Sequence, residues 1–298
     1  AEGRTQLTTG PRRNQMSTPE YWLDYPDRIP LMDKAGIDVQ VISLNPQLFR
    51  DREPLETAIA ATRAVNDEIA EAVANGNGRF QGLASVPLQD ADAGVAELER
   101  AMGELGLKGL IVGSHVAGRN WDDPDLFPIL QAAERIGAFI LLHPFSTRAG
   151  EIMPAFHMTN LIGNPMETTV AAGNLIFAGV MERLPGLKIC LSHAGGYLPF
   201  AIGRFDHGYE ERAQLRQNCP KMPSEYLRSF YYDMITHSGP GLEQVAGIVG
   251  TDRILLGTDF PADMAVHEPV KFLDDQSWLN DAGRAAIAGG TATALIGL

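Results

Sequence analysis

AFILLH at residues 138–143 and LKICLSH at residues 187–193 decide how this chain folds. Each is a short, almost unbroken apolar run, and each ends in a histidine. Between them lies enough chain for a long loop and a helix. Strands buried on both faces read as continuous apolar runs rather than as alternating ones. Working outward, the same kind of run recurs at residues 38–44 (DVQVISL), 80–86 (FQGLASV), 108–113 (KGLIVG), 229–236 (SFYYDMIT) and 253–259 (RILLGTD). Helical patterns fill the intervals, at about residues 55–74, 90–105, 124–136, 167–183, 198–212 and 241–249. Glycine and proline punctuate the junctions, as at Pro87, Gly106, Gly137, Pro185, Gly186 and Gly250. Strands alternating with helices build βαβ units and a parallel sheet. A chain of 298 residues suits one α/β barrel of ~250 residues with extended loops. The expectation is therefore an α/β fold, a (β/α)₈ TIM-like barrel, with residues 1–298 forming a single domain.

The runs number seven, and a helix-like segment at residues 27–35 stands before the first of them. A closed eight-stranded barrel needs a strand ahead of that helix. The expectation is that this first strand is missing from the sequence and that a gap separates the runs at 38–44 and 253–259.

Composition narrows the function. A net charge of -13 disfavours non-specific binding to nucleic acid, because phosphates are repelled. No charge-free apolar run reaches the ~18 residues of a membrane span. Residues 1–15 carry Arg4, Arg12 and Arg13 and lack the apolar core of a secretory leader. The two cysteines, Cys190 and Cys219, read as reduced thiols in a cytoplasmic protein.

Three runs end in metal-capable residues: His143 in LLHPF, His193 in LSHAGG and Asp259 in GTDFP. In a parallel barrel all strand C-termini open on one face, so residues distant in sequence converge there. Imidazole and carboxylate suit Zn²⁺ and related ions. Singly, each has a plainer reading: a surface or capping histidine, or an aspartate that caps a helix. Their coincidence at three strand ends favours a site.

These motifs resemble the amidohydrolase-related proteins of the aminocarboxymuconate-semialdehyde decarboxylase group, which includes γ-resorcylate decarboxylases. The stretches LIGNPMETT (161–169), GVMERL (179–184), LPFAIGRFDHGY (198–209) and YLRSFYYD (226–233) are similar to the same group. The resemblance implies that His143 and Asp259 are metal ligands, with Zn²⁺ as cofactor and Mn²⁺ as the alternative. It implies that His193 and Asp259 are catalytic, His193 as a proton carrier beside the metal rather than a ligand. Arg204 would cross a homodimer interface to bind a substrate carboxylate; its plainer reading is a surface arginine paired with Asp206 or Glu210. Arg13, or its neighbour Arg12, would supply a second clamp, and Phe145 and Phe260 are taken as substrate contacts. Among the other histidines, His115 and His237 are candidates for the mouth, His157 for a substrate wall, and His207 and His267 for structural roles. The group ordinarily opens with a strand bearing His-x-His, whereas here no histidine precedes His115.

The implied function is metal-dependent decarboxylation of an aromatic or unsaturated carboxylic acid, a small molecule. The alternatives are a hydrolase or hydratase acting on a lactone, amide or enol acid with the same ligands, and a non-catalytic binding protein on a barrel scaffold.

Overall fold

The computed structural model of the protein describes the backbone of residues 6–9 and 12–15, and residues 20 and 23–298. Strands β1 (Gln6–Thr9) and β2 (Arg12–Gln15) pair antiparallel with each other. The rest alternates strand and helix. The strands are β3 (Gln40–Ile42), β4 (Phe80–Gly82), β5 (Gly109–Gly113), β6 (Phe139–His143), β7 (Lys188–Leu191), β8 (Tyr231–Asp233) and β9 (Ile254–Leu255). All seven expected runs thus form strands, each shorter than its run. The helices are α1 (Tyr25–Ala35), α2 (Leu55–Asn75), α3 (Ala91–Gly103), α4 (Phe127–Ile136), α5 (Asn164–Phe177), α6 (Val180–Arg183), the short turn α7 (Ser192–Gly195), α8 (Leu198–Glu211) and α9 (Gly239–Val249). Three more, α10 (Pro269–Asp274), α11 (Asp281–Ala285) and α12 (Thr291–Ile296), close the chain.

β3 pairs with β4, and β5 to β9 pair in sequence order, all parallel. Ala84 joins the two sheets: its N–H donates to the Gly109 carbonyl at 2.8 Å, and its carbonyl accepts from Ile111 at 2.9 Å. The order β3 to β9 is that of consecutive βαβ units, whose crossovers are right-handed in nearly all proteins. Among the described residues, β3 pairs with β4 alone and β9 with β8 alone, so the two outermost strands do not bond to each other. The gap expected from the count of seven runs stands, among the described residues, between β3 and β9. α12 packs beneath the start of β7, where the Lys188 ammonium donates to the Leu295 carbonyl at 3.1 Å.

Alternation along the strands divides the core. On β6, Ile140 and Leu142 face outward to the helices, in a cluster with Ile189, Leu191, Leu175 and Leu130. Phe139 faces inward, with Leu83, Cys190 and Leu295. Local chemistry sets the helix ends. The Asp90 carboxylate accepts from Ala93 N–H at 2.9 Å to cap α3, and the Ser238 hydroxyl accepts from Gly241 N–H to cap α9. The single helix expected at residues 167–183 is instead two, because Gly179 adopts φ 71° between α5 and α6. The expected helix at residues 124–136 begins only at Phe127.

At Gly109 the backbone has φ 153°, and an added Cβ would lie 1.8 Å from the Phe139 carbonyl oxygen on the neighbouring strand. Gly109→Ala is expected to part β5 from β6 and to destabilise the protein by more than ~2 kcal/mol, the scale of severe core lesions. Gly103→Ala at the end of α3, where nothing lies within 4 Å, is expected to be neutral or to stabilise by up to ~1 kcal/mol. Denaturant melts of the two variants against wild type check both outcomes.

Candidate metal centre and substrate cavity

His143 is the last residue of β6, His193 follows β7 by two residues, and Asp259 follows β9 by four. Parallel pairing brings all three to one end of the sheet. One Asp259 oxygen lies 3.3 Å from His143 Nε2 and the other 3.8 Å from His193 Nε2. The imidazoles meet edge to face, with centroids 5.0 Å apart. One donor atom from each residue falls within 4.8 Å of the others. Two ligands of one ion with ~2 Å bonds lie at most ~4 Å apart, so a small contraction would seat a cation. Among the described residues this is the one group of three or more His, Cys, Asp or Glu side chains so disposed. The donor set, two nitrogens and a carboxylate, fits a borderline divalent ion. His143 Nδ1 is buried without a hydrogen-bond partner.

The local backbone is unusual. His193, Ala194 and Asp259 have φ of 55°, 53° and 57°, a region that side chains rarely occupy. Two carboxyl-terminal supports hold the first two there. Asp233, buried at the end of β8, accepts from His193 N–H and Ala194 N–H, both at 2.8 Å, and from Ile235 N–H at 2.9 Å. Gly196, the last residue of the SHAGG motif, has φ 63°; a Cβ there would lie 2.2 Å from the Pro165 carbonyl oxygen. The motif's glycine is therefore a close-approach residue.

Electrostatics follow from this packing. Burial alone would raise the Asp259 carboxyl, but hydrogen bonds and charge from His143 and His193 outweigh it and hold the group well below the carboxylate range. Burial alone would lower His193; the hydrogen bond to Asp259 and the charges of Asp233 and Asp259 raise it above its ordinary value.

The centre opens on a cavity of about 2710 Å³ that runs from the mouth down between β3 and β9. Phe145 and Phe260, taken from the sequence as substrate contacts, line it, as do His115, His157 and His267. His267, expected to be structural, is thus an exposed cavity residue, whereas His237 is exposed and does not line it. Arg204 is exposed on α8 and away from the cavity of its own chain; it pairs with neither Asp206, which accepts from Ser224 N–H, nor Glu210. Arg13 lies on β2, and its side chain falls outside the described residues.

Several residues that build the site do not stand out in the sequence. Asp233 looked like one polar residue in a strand. Glu167, buried on α5, pairs with Arg148 at 2.6 Å and accepts from the Arg148 N–H at 2.7 Å, pinning the loop after β6. Asp51 stands in the cavity wall after β3 with Oδ2 buried and without a hydrogen-bond partner. Burial raises its carboxyl to about 6, against the opposing charges of Arg119 and Arg52.

Residues 19–298 match the family model described as Amidohydrolase. The chain belongs to the amidohydrolase family. It is 36% identical over 272 residues to 2-amino-3-carboxymuconate-6-semialdehyde decarboxylase of Dictyostelium discoideum, covering 91% of this chain and 76% of that protein. To γ-resorcylate decarboxylase of Polaromonas sp. it is 30% identical over 296 residues, covering 93% and 88%. The fold superposes with a TM-score of 0.83 and 27% identity on a dihydroxybenzoic acid decarboxylase from Polaromonas sp., covering 91% of this chain and 85% of that one. That structure holds manganese and the inhibitor 2-nitroresorcinol. This amidohydrolase chain shares with it the α/β barrel architecture, and the sequence motifs that suggested the family are those around His143, His193 and Asp259.

Asp51 yields a pH test. A carboxyl raised in the folded state destabilises the fold progressively as pH climbs from its unfolded value of ~3.9 to about 6, and fully above that. Asp51→Asn is therefore expected to raise the melting temperature at pH 8 and to leave it nearly unchanged at pH 3.5. Thermal melts across that range would show it; a shift equal at both ends would contradict it.

Proposed function

We propose that this chain is a divalent-metal-dependent decarboxylase of an aromatic or unsaturated carboxylic acid, with its chemistry carried by one barrel domain. The observation that carries the reading is the convergence of His143, His193 and Asp259 within 4.8 Å at the mouth of the cavity. The names of the relatives, all decarboxylases of carboxylic acids, support it. His143 and Asp259 are the proposed protein ligands. Zinc is the proposed metal and manganese the alternative, the latter being the ion in the Polaromonas structure. A bound cation supplies a fixed positive charge that orients an anionic substrate.

His193 is proposed as the proton carrier. Asp259 faces its Nε2, and Asp233 fixes its backbone. Transfer of a proton from His193 to the carbon that bears the carboxylate forms a C–H bond from the substrate's π electrons. The bond to the carboxylate carbon then breaks, its electron pair restores the π system, and CO₂ leaves. Phe145 and Phe260 offer apolar walls for the ring.

A homodimer is part of the proposal. Phe156 is 90% exposed, Ile152 79%, Phe200 48% and Leu161 46%. The Tyr197 hydroxyl donates to the Leu161 carbonyl at 3.4 Å, which joins the loop patch to the start of α8. An apolar patch of this kind marks an interaction face. Arg204, one turn beyond Phe200, would enter the partner's cavity to bind a carboxylate, with Arg13 as a second clamp. We place the protein in the cytoplasm, which its free cysteines, Cys190 and Cys219, support.

Metal analysis with assay of CO₂ release over a panel of aromatic and dienoic acids tests the function. One equivalent of divalent metal and CO₂ from at least one acid are expected, with both activity and metal removed by a chelator. A product that retains its carboxylate would overturn the reading. His193→Asn is expected to keep the metal and to lower turnover ~10²-fold or more. Mixing His193→Asn with Arg204→Ala is expected to restore part of the activity through hybrid dimers; no recovery after demonstrated subunit exchange would reject the shared site.

A further inference from the structure

Beyond the three convergent residues, the cavity has a built polar position that the proposed chemistry leaves unused. Phe49, Phe145 and His115 form one aromatic wall. The Phe49 and Phe145 rings meet edge to face with centroids 5.3 Å apart, and the His115 and Phe145 rings lie 5.7 Å apart. His115 is only 2% exposed. Its Nδ1 accepts from Gly118 N–H at 3.3 Å, so a neutral ring carries its proton on Nε2. Burial lowers the His115 basicity, with Glu167 drawing it partly back, and this favours the neutral ring. Nε2 points at Ser146, whose Oγ lies 3.3 Å away. The serine oxygen is thereby on the accepting side of its one side-chain hydrogen bond, and its own proton is left without an acceptor. Ser146 lines the cavity.

Topology says what that proton meets. His115 lies beyond β5, and Gly113 of β5 is in register with His143 of β6. His193 lies beyond β7, on the opposite flank of β6. The two flanks are two strand spacings apart, ~10 Å, roughly the length of a substituted benzene ring. Ser146 follows β6 but is held toward the β5 flank by His115, so in the proposed pose a ring whose carboxylate-bearing carbon lies at His193 extends its far edge toward Ser146. A lone hydroxyl donor at the rim of an aromatic wall is suited to an oxygen substituent in the plane of the ring.

We infer that Ser146 is a specificity-determining residue that donates a hydrogen bond to a ring oxygen of an aromatic acid, on the edge away from the carboxylate, and that His115 is the positioning residue that directs it. This rests on the proposed reading of the cavity as an aromatic-acid site. A site built to hydrogen-bond a hydroxyl discriminates strongly against the analogue that lacks it.

The test is calorimetric binding of benzoate, 3-hydroxybenzoate and 4-hydroxybenzoate to the metal-loaded full chain. Wild type is expected to bind at least one hydroxylated acid more tightly than benzoate. Ser146→Ala is expected to weaken that acid ~10-fold, the worth of one hydrogen bond of about 1.4 kcal/mol, and to leave benzoate unchanged. Ser146→Thr keeps the hydroxyl and is expected to keep the preference. His115→Phe keeps the aromatic wall and is expected to lose it. Equal weakening of all three acids by Ser146→Ala, or no weakening of any, would overturn the inference. The readout is binding, so a retained hydroxyl preference without CO₂ release would count against the decarboxylase reading alone.

Discussion

The Asp259 carboxylate is shared between two imidazoles, and the site is organised around that sharing. One oxygen faces His143 and the other His193. A carboxylate so placed must stay ionised, and each imidazole gains a reason to point at it. The arrangement exists because β6, β7 and β9 run parallel and end together, although 116 residues separate His143 from Asp259. It also requires backbone that does not follow the strands. His193 and Asp259 both sit at positive φ, an energetic cost of order 1–3 kcal/mol for each such residue. Asp233 offsets part of this for His193 with two charge-assisted hydrogen bonds to the turn. The turn that carries His193 is thus held by an acid whose two oxygens accept from three backbone N–H groups.

The second consequence is division of labour around the mouth. The β7 to β9 side carries His193, Asp233 and Asp259. The β5 side carries the aromatic wall and the pinned loop after β6, with Glu167 and Arg148 as its strut. Between them stands His143. Elements of the sheet and its loops thus hold both the proposed reacting end and the proposed recognising end of the cavity, as the positioning of a small planar substrate requires. Among the described residues β3 and β9 do not pair, and the cavity, lined by residues of both, exceeds the ~300–1,000 Å³ of most ligand pockets.

Much of this was legible in the sequence for a physical reason. Parallel strands covered on both sides must be apolar throughout, so residues 138–143 and 187–193 announce themselves, and a polar ligand stands out at the end of each. The seven runs implied the strand order and, with it, the lack of pairing between β3 and β9 among the described residues. The ends of elements were less legible: Gly179 splits one apparent helix by adopting φ 71°, a conformation that composition alone does not reveal. Supporting residues were least legible. Asp233, Glu167 and Ser146 act through hydrogen bonds to groups 19 to 40 positions away, and although they lie in or beside stretches that resemble the family, the sequence does not show which group each one holds. Asp51 is informative only because its burial is known.

The central claim is that His143 binds the metal while His193 stands beside it with a proton. Electron spin-echo modulation of the Mn²⁺-loaded protein separates the two, because a ligating imidazole nitrogen modulates the echo and a neighbouring one does so far more weakly. The expected result is clear nitrogen modulation in wild type, its retention in His193→Asn and its loss in His143→Gln. Modulation that survives His143→Gln and vanishes in His193→Asn would reverse the roles of the two histidines and contradict the assignment.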